Sequence, residues 1–488
     1  MEFTDTENAI SKIRGGSLLT FSGMELNRAP IAMVNEIVRQ KKKDIRVISI
    51  PNPLPLDILA KNNCVKSATF GFLGFSFEDG FVIAPNARRS IENGSIMWKE
   101  TDILEIIQSL KSASRGLEEI ELPYFFNTDY LKYNHYKKSK KGDAESLLIE
   151  PIRPDFALIH AQYADKEGNV FISDPLIDEL IASASDNVIV SVEKIIPKLE
   201  RITIPSKKID YLAKIENGAL PTSCFGFYDY DPGTLRKYLG IEKKINDIAS
   251  NPAHRKSIDH IILKIKDMIG EGDIFATGVA SPIPMLAAMH AKASRKEFTY
   301  INCGSGAINP MMSEPSYSSV TIKALNKKES FITLPDVWDY ALTGKIDLMI
   351  FGAVQISAKG DINLTCIGDY NKPKIKLPGP AGAVTLRNLC KNPIILALSH
   401  SKKTFVEKVD FITSSTVKDS LVITNLGVLK LGNKPEILEV FPHSSVKEIK
   451  ENTSFELDSQ NAVFAKEITK EEYGILNKLD RKEIRYRF

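Results

Sequence analysis

The sequence predicts an α/β protein of two homologous open α/β domains in tandem, and three observations carry that expectation. The chain has 488 residues, too many for one ordinary hydrophobic core. Two distant stretches read as copies of one unit, strand then glycine loop then helix then strand, which is the pattern that builds parallel sheets. A second pair of similar stretches follows in the same order in each half, so internal duplication explains both.

The first copy, "IRGGSLLTFSGMELNRAPIAMVNEIV", begins at Ile13, and the second, "IGEGDIFATGVASPIPMLAAMHA", begins at Ile269. Apolar residues spaced by three and four mark the helices: Ile31, Val34, Ile37 and Val38 in one, Met285, Leu286 and Met289 in the other. The strands "DIRVISI" and "EFTYINC" come next. The later echo pairs "DFALIHAQYADKEGNVFI" from Asp155 with "DLMIFGAVQISAKGDINL" from Asp347; each has an apolar strand, a glutamine (Gln162, Gln355) and a polar turn at glycine (Gly168, Gly360). The charged, turn-rich segment 239–260 is the expected seam, giving domains 1–245 and 258–488.

Composition narrows the functional classes. Apolar content of 43% with 26% charged residues describes a globular protein. Basic and acidic residues nearly cancel, 64 against 61, so neither nucleic acid nor an anionic membrane is expected as the main partner. The basic, aromatic-containing stretch "KYNHYKKSKKGDAE" from Lys132 accordingly reads as a solvated surface loop. Cys64, Cys224, Cys303, Cys366 and Cys390 form no C-x-x-C pair and no zinc pattern, so no metal site is expected and the thiols should be reduced. The acidic, polar N-terminus gives no secretory signal and no apolar run approaches a membrane span, so a cytoplasmic location is expected.

Several local features could carry chemistry. Gly278 follows an apolar strand and precedes a helix, where backbone N–H groups and the helix N-terminus favour an anion or oxyanion. "LPGPAGAV" from Leu377 is a loop of small residues against which a ligand could lie. Cys303, at the end of "FTYIN", is either a nucleophile or a buried structural thiol, and no histidine in its segment would activate it. Arg28 could pair with a substrate carboxylate or belong to a plain helix start. His160, on an apolar run, reads as a satisfied core histidine rather than a base.

Together these segments resemble the family I CoA-transferases, most closely the glutaconate CoA-transferase type with its two homologous subunits. The resemblance rests on "ELNRAP", "PDFALIHAQYADKEGNV" and "PTSCFGFYDYDP" in the first half, and on "GAVQISAKGDINLTCIGDYNKPKIKLPGPAGA", "FVEKVDFITS" and "TNLGVLKL" in the second. It implies an α-like and a β-like subunit fused in one chain, an active site between the halves, and a CoA thioester as substrate with no permanently bound cofactor. It also implies a carboxylic acid acceptor and pairing of two such chains into a homodimer. Members use a β-subunit glutamate in an E-x-G turn as nucleophile, with oxyanion-holding N–H groups near Gly278 and Ser281.

Here that turn is "GSG": Gly304 stands where the glutamate belongs, followed by Ser305 and Gly306. Shifting the match by one places Cys303 there and breaks the spacing to Gly306. The family's Q-x-D turn becomes Gln355 with Ser357, its G-N-x-N becomes "GDIN", and its G-S-G-G-A loop becomes "GPAGA", while Gln355, Asn363, Gly379 and Gly382 keep the pattern. The resemblance therefore implies a substrate and CoA site at Arg28, Gly278, Ser281, Ser305, Gly306, Gln355, Asn363, Gly379 and Gly382. It leaves Cys303 and the neighbouring Glu314 as candidate nucleophiles; ring-cleaving relatives use an α-subunit glutamate as base, and Asp102 or Ile103 falls near that position, with Asp102 the candidate group. CoA transfer between carboxylic acids is the expected activity, a dicarboxylate or carboxylated acyl group the expected substrate, and hydrolysis of a CoA thioester or pure CoA binding the alternatives.

Overall fold

A computed structural model of the chain describes residues 1–122, 127–141, 144–241, 247–416 and 418–487. Each half is organised round its own sheet. In the first, parallel strands run in the order Glu2–Phe3, Tyr211–Lys214, Asn187–Ile196, Phe156–Asp165, Leu18–Phe21, Ile45–Ser49, Val65–Phe70, Met97–Glu100, and Val170–Phe171 adds antiparallel to Phe156–Asp165. In the second, Thr299–Asn302, Ile274–Thr277, Leu348–Gly352, Asn392–Ala397 and Ser420–Thr424 are parallel neighbours. Antiparallel pairings extend that sheet at both edges, and Val463–Phe464 joins parallel to Glu436–Val440 at the far end, making ten strands among the described residues.

The duplication is visible in this order. Ile45–Ser49, Leu18–Phe21, Phe156–Asp165 and Asn187–Ile196 occupy in one sheet the places of Thr299–Asn302, Ile274–Thr277, Leu348–Gly352 and Asn392–Ala397 in the other. The helix Ile31–Arg39 buries Ile31, Met33, Val34 and Ile37, which sets its apolar stripe on the first sheet. Its counterpart Pro282–Ala293 is buried along nearly its whole length, because the helices Pro252–Met268 and Lys470–Leu479 both pack against it. The expected seam contains no extended linker after Asn251: a helix, Pro252–Met268, starts there and buries Ile258, Ile261, Ile262 and Ile265 in the second core. Residues 242–246 of that segment lie outside the described residues.

The stretch after Lys132 forms strands Lys137–Lys141 and Ala144–Ile149 rather than a loop, with residues 142–143 outside the described residues. Lys137 pairs with Glu119 and Glu150, so its charge is met within the protein.

The two halves are joined by hydrogen bonds as well as by packing. The loop after Lys376 crosses to the first half, where Leu73 N donates to Pro378 O (2.7 Å), Ala381 N to Gly71 O (2.8 Å) and Ile103 N to Ala381 O (2.9 Å). Lys376 is fully buried and donates to Glu100 Oε1 at 2.5 Å, with Tyr130 Oη donating to the other carboxylate oxygen at 2.6 Å. No described helix is long and apolar enough to cross a membrane.

Candidate active site

Parallel strands deliver their chain ends to one edge of a sheet, and the loops leaving that edge build a crevice. Here both sheets contribute. A cavity of about 520 Å³ is lined by Pro51, just past Ile45–Ser49, by Gly278 and Ser281 past Ile274–Thr277, and by Cys303 past Thr299–Asn302. Phe72, Phe81 and Ile103 close it from the first half, and Leu334, Val337 and Trp338 from the second. Among the described residues, Asp79 and Arg487 are the only charged ones in the lining; Asp79 accepts from Arg236 Nε at 2.5 Å, and Arg487 donates to Tyr317 Oη at 3.0 Å.

Five of the residues expected at the site meet in this lining: Gly278, Ser281, Cys303, Gly379 and Gly382. A Cβ on Gly278 would touch nothing nearer than Met349 Cε at 3.7 Å, so packing does not require glycine there and bare backbone faces open space. The helix Pro282–Ala293 starts beside it. Gly379 and Gly382 have a different reason. Gly379 has φ +98° and a Cβ there would lie 2.7 Å from Glu100 Oε1; a Cβ on Gly382 would lie 2.6 Å from Leu386 and 2.7 Å from Trp338. They let the crossing loop lie close against its neighbours.

Cys303 is a poor nucleophile as placed. Burial pushes its thiol up to about 12, so at neutral pH it is protonated. Gly304 lies outside the cavity lining, and a Cβ on it would sit 2.8 Å from Val320 Cγ2. Val320 thus fills the space that a side chain at position 304 would take. Ser305 and Gly306 also lie outside the lining: Ser305 N donates to Asn302 Oδ1 (3.3 Å), and Gly306 turns the chain at φ +72° beneath Phe331.

The remaining expected site residues need correction, each for the same physical reason: their polar atoms are already engaged. Arg28 is fully buried, and all five of its guanidinium N–H donors are used, on Asp174 Oδ1, Asp174 O, His160 O and both oxygens of Asp178. None is left for a substrate carboxylate; Arg28 instead pins the loop that follows Leu18–Phe21. Gln355 donates to Asp410 Oδ2 (2.7 Å) and accepts from Asn363 Nδ2 (2.8 Å), while Asn363 also donates to Cys366 O, so the pair clamps its own turns. Glu314 pairs with Lys323 and Lys482, which hold its carboxyl below the usual range, and it lies outside the lining.

Asp102 is buried and caps the helix Ile103–Ser114, accepting from Leu104 N at 2.9 Å. It also accepts from Thr385 Oγ1 and from the N–H groups of Val384 and Thr385, so it ties the halves together. Burial pushes its carboxyl up to about 7. Its neighbour Ile103 lines the cavity, but Asp102 does not. His160 is buried, with Nδ1 at 2.8 Å from Ser191 Oγ and Nε2 at 2.8 Å from Glu193 Oε1.

With Cys224, His160 and Glu193 bring three metal-capable atoms within 4.8 Å. Glu193, however, also accepts from Tyr228 Oη and from the N–H groups of Asn217 and Gly218, and burial raises the Cys224 thiol far above neutrality. His160 and Glu193 are thus hydrogen-bonded within the protein.

One residue of note was not singled out by the motifs. Glu25, in "GMELNRAP", is completely buried, has φ +43°, and its Oε1 has no hydrogen-bond partner. Its Oε2 accepts from Ser318 Oγ, of the second half, at 3.1 Å. The duplication held a signal for it: Gly23 and Gly278 are equivalent, and two residues on stand Glu25 and Ala280, both at positive φ. Only the first copy places an acid there.

A family model shows the protein's family. The model of the Coenzyme A transferase family matches residues 3–216 and 259–452, and the chain belongs to that family, whose members act on CoA thioesters. The two matched segments place both kinds of family subunit in one chain. The chain is 42% identical over 87 residues, 18% of its length and 33% of the relative's, to a 3-oxoadipate CoA-transferase subunit of Pseudomonas knackmussii. It is 25% identical over 252 residues, 48% of its length and 84% of the relative's, to the cholesterol ring-cleaving hydrolase IpdA subunit of Rhodococcus jostii. The chain thus spans about a third of the first relative's length. Among solved structures, the acyl-CoA transferase YdiF apoenzyme of Escherichia coli O157:H7 superposes with a TM-score of 0.73 over 95% of both chains at 17% identity, which is a likeness of fold.

Proposed function

We propose that this chain acts on the thioester of an acyl-CoA whose acyl group is apolar, passing the CoA to a carboxylic acid. The observation that carries the reading is the cavity between the halves, of a volume suited to a small organic ligand and walled by aromatic and aliphatic side chains, with the bare backbone of Gly278 and a helix start at one side. Family membership supports transfer. The enclosed Arg28 and the apolar walls favour an aliphatic or aromatic acyl group over the dicarboxylate expected from sequence. Transfer through an enzyme carboxylate would use a group other than position 304; Asp79 is the carboxylate that lines the cavity.

Hydrolysis is a second reading, favoured by Val320 filling the space of the family's glutamate and by the protonated Cys303. The similarity to a ring-cleaving hydrolase subunit is consistent with it. The purified chain, incubated with acetyl-, isovaleryl- and phenylacetyl-CoA in oxygen-18 water with and without acetate, separates the readings by mass spectrometry. Acceptor-dependent CoA exchange is the expected result. Product acid bearing the heavy oxygen without any acceptor supports hydrolysis, and thermal stabilisation by CoA compounds without turnover would leave a binding protein.

A further inference from the structure

Exposure is graded across the cavity lining. Phe81, Val354 and Leu398 are 46, 38 and 38% exposed and form its mouth together with Arg487, which is exposed as well. Leu334, Val337 and Trp338, all from the helix Leu334–Leu342, are at most 3% exposed and form its floor.

An acyl-CoA is graded in the same sense. Its CoA end carries ionised phosphates, which are costly to bury without a paired cation, whereas an apolar acyl group gains by leaving water. Among the described residues Arg487 is the only cation in the lining, and it stands at the mouth. The phosphates therefore stay outside, and the acyl end enters first and reaches the floor.

Trp338 is the largest side chain of that floor, and it is held in place. Its Nε1–H donates to Thr385 Oγ1 at 3.1 Å, and that hydroxyl donates to the buried Asp102 at 2.9 Å. The indole lies so close to Gly382 that a Cβ there would be 2.7 Å from Cζ2. The start of the helix is pinned from the first half, where Leu176 O accepts from Leu334 N at 2.8 Å. Swinging the indole aside would leave a buried N–H without a partner, so the floor does not yield to a longer ligand.

We propose that Trp338 sets the size limit of the acyl group: the acyl chain lies against Leu334, Val337 and the indole, the CoA portion leaves past Phe81, Val354 and Leu398, and the substrates are acyl-CoAs with short, uncharged, branched or aromatic acyl groups. This rests on the reading of the ligand as an acyl-CoA. It serves transfer and hydrolysis alike, because it concerns where the acyl group lies and not which group attacks it.

The placement can be read without turnover. Trp98 and Trp338 are the two tryptophans of the chain, and Trp98 packs between Phe70 and Tyr370, outside the lining. In Trp98→Phe the indole emission therefore comes from Trp338 alone. S-(4-nitrobenzyl)-CoA, a thioether with no carbonyl to attack, should quench most of that emission on binding, since nitroaromatic groups quench by contact; CoA itself should leave it nearly unchanged. Size is tested with Trp338→Leu, whose kcat/KM for octanoyl-CoA relative to isovaleryl-CoA should rise by roughly tenfold or more over wild type. Calorimetry should show the same shift in affinity for S-octyl-CoA against S-butyl-CoA, and Trp338→Phe, the smaller change, should move both ratios in that direction if W338L does not fold. A bound nitrobenzyl thioether that leaves the emission unquenched, quenching by CoA alone to the same extent, or size ratios that match wild type overturn the proposal. Absence of turnover with binding and quenching intact counts against transfer and hydrolysis but supports the pocket, whereas failure of every CoA compound to bind overturns the acyl-CoA reading and the pocket with it.

Discussion

A glutamate placed at position 304 by Gly304→Glu, where the sequence resemblance puts the family's nucleophile, should damage this protein rather than repair it. A Cβ at position 304 would stand 2.8 Å from Val320 Cγ2 and 3.3 Å from both Ser319 Oγ and Val320 N, where carbon atoms prefer about 3.5 to 4.0 Å. Val320 would have to retreat by about 1 Å to reach that separation. It is not free to do so, because its N–H is held by Ser318 Oγ, which is itself bonded to Glu25. Overpacking of this kind costs about 1–3 kcal/mol. For a domain of this size that is a fall in Tm of roughly 2–12 °C. Calorimetry of G304E measures it, and Val320→Ala in the same chain should recover part of the loss. Mass spectrometry after incubation with acyl-CoA should find no CoA adduct at position 304. A variant with wild-type Tm, or one that acquires an adduct at the new glutamate, would refute the argument that Val320 seals this position.

Two further predictions concern the buried carboxyls. Because the Glu25 carboxyl keeps its proton up to about pH 8 in the fold and ionises near 4.5 when unfolded, wild-type stability should decline across that window as only the unfolded state gains charge. E25Q lacks this penalty, so its advantage should grow from pH 5 to pH 8, toward a ceiling of roughly 5 kcal/mol at ~1.36 kcal/mol per pH unit; a difference in Tm that stays constant over the range would contradict the buried, neutral carboxyl. Lys376→Met strands Glu100 in the interface between the halves, and an uncompensated buried charge costs about 3–5 kcal/mol. Adding Glu100→Gln should restore most of the loss in chemical denaturation, and a single variant as stable as wild type would mean that the pair contributes nothing to holding the halves together.

Residues of one kind were legible before any coordinates. The strands and helices of the duplicated unit were marked by apolar spacing, since a helix must turn one stripe and a buried strand its whole length toward the core. Gly278 and Cys303 line the cavity because both follow parallel strands, and that position follows from the order of elements along the chain. Arg28, Gln355 and Asn363 were misread for one shared reason. A polar side chain in a motif looks the same whether its partner is a ligand or the protein, and the partners of Arg28 lie about 150 positions away, at Asp174 and Asp178.

The sequence by itself determined the duplication, the α/β class and the family, because each is written in residue types and local spacing. Only the tertiary structure decided that Val320 packs on Gly304, which polar groups are spent, and that a carboxyl from the first half meets residues 318–320 of the second. Those facts depend on how two sheets, separately specified by short-range pattern, are packed against each other. Contacts between Glu25 and Ser318 span 293 positions, and no local periodicity encodes a meeting at that distance.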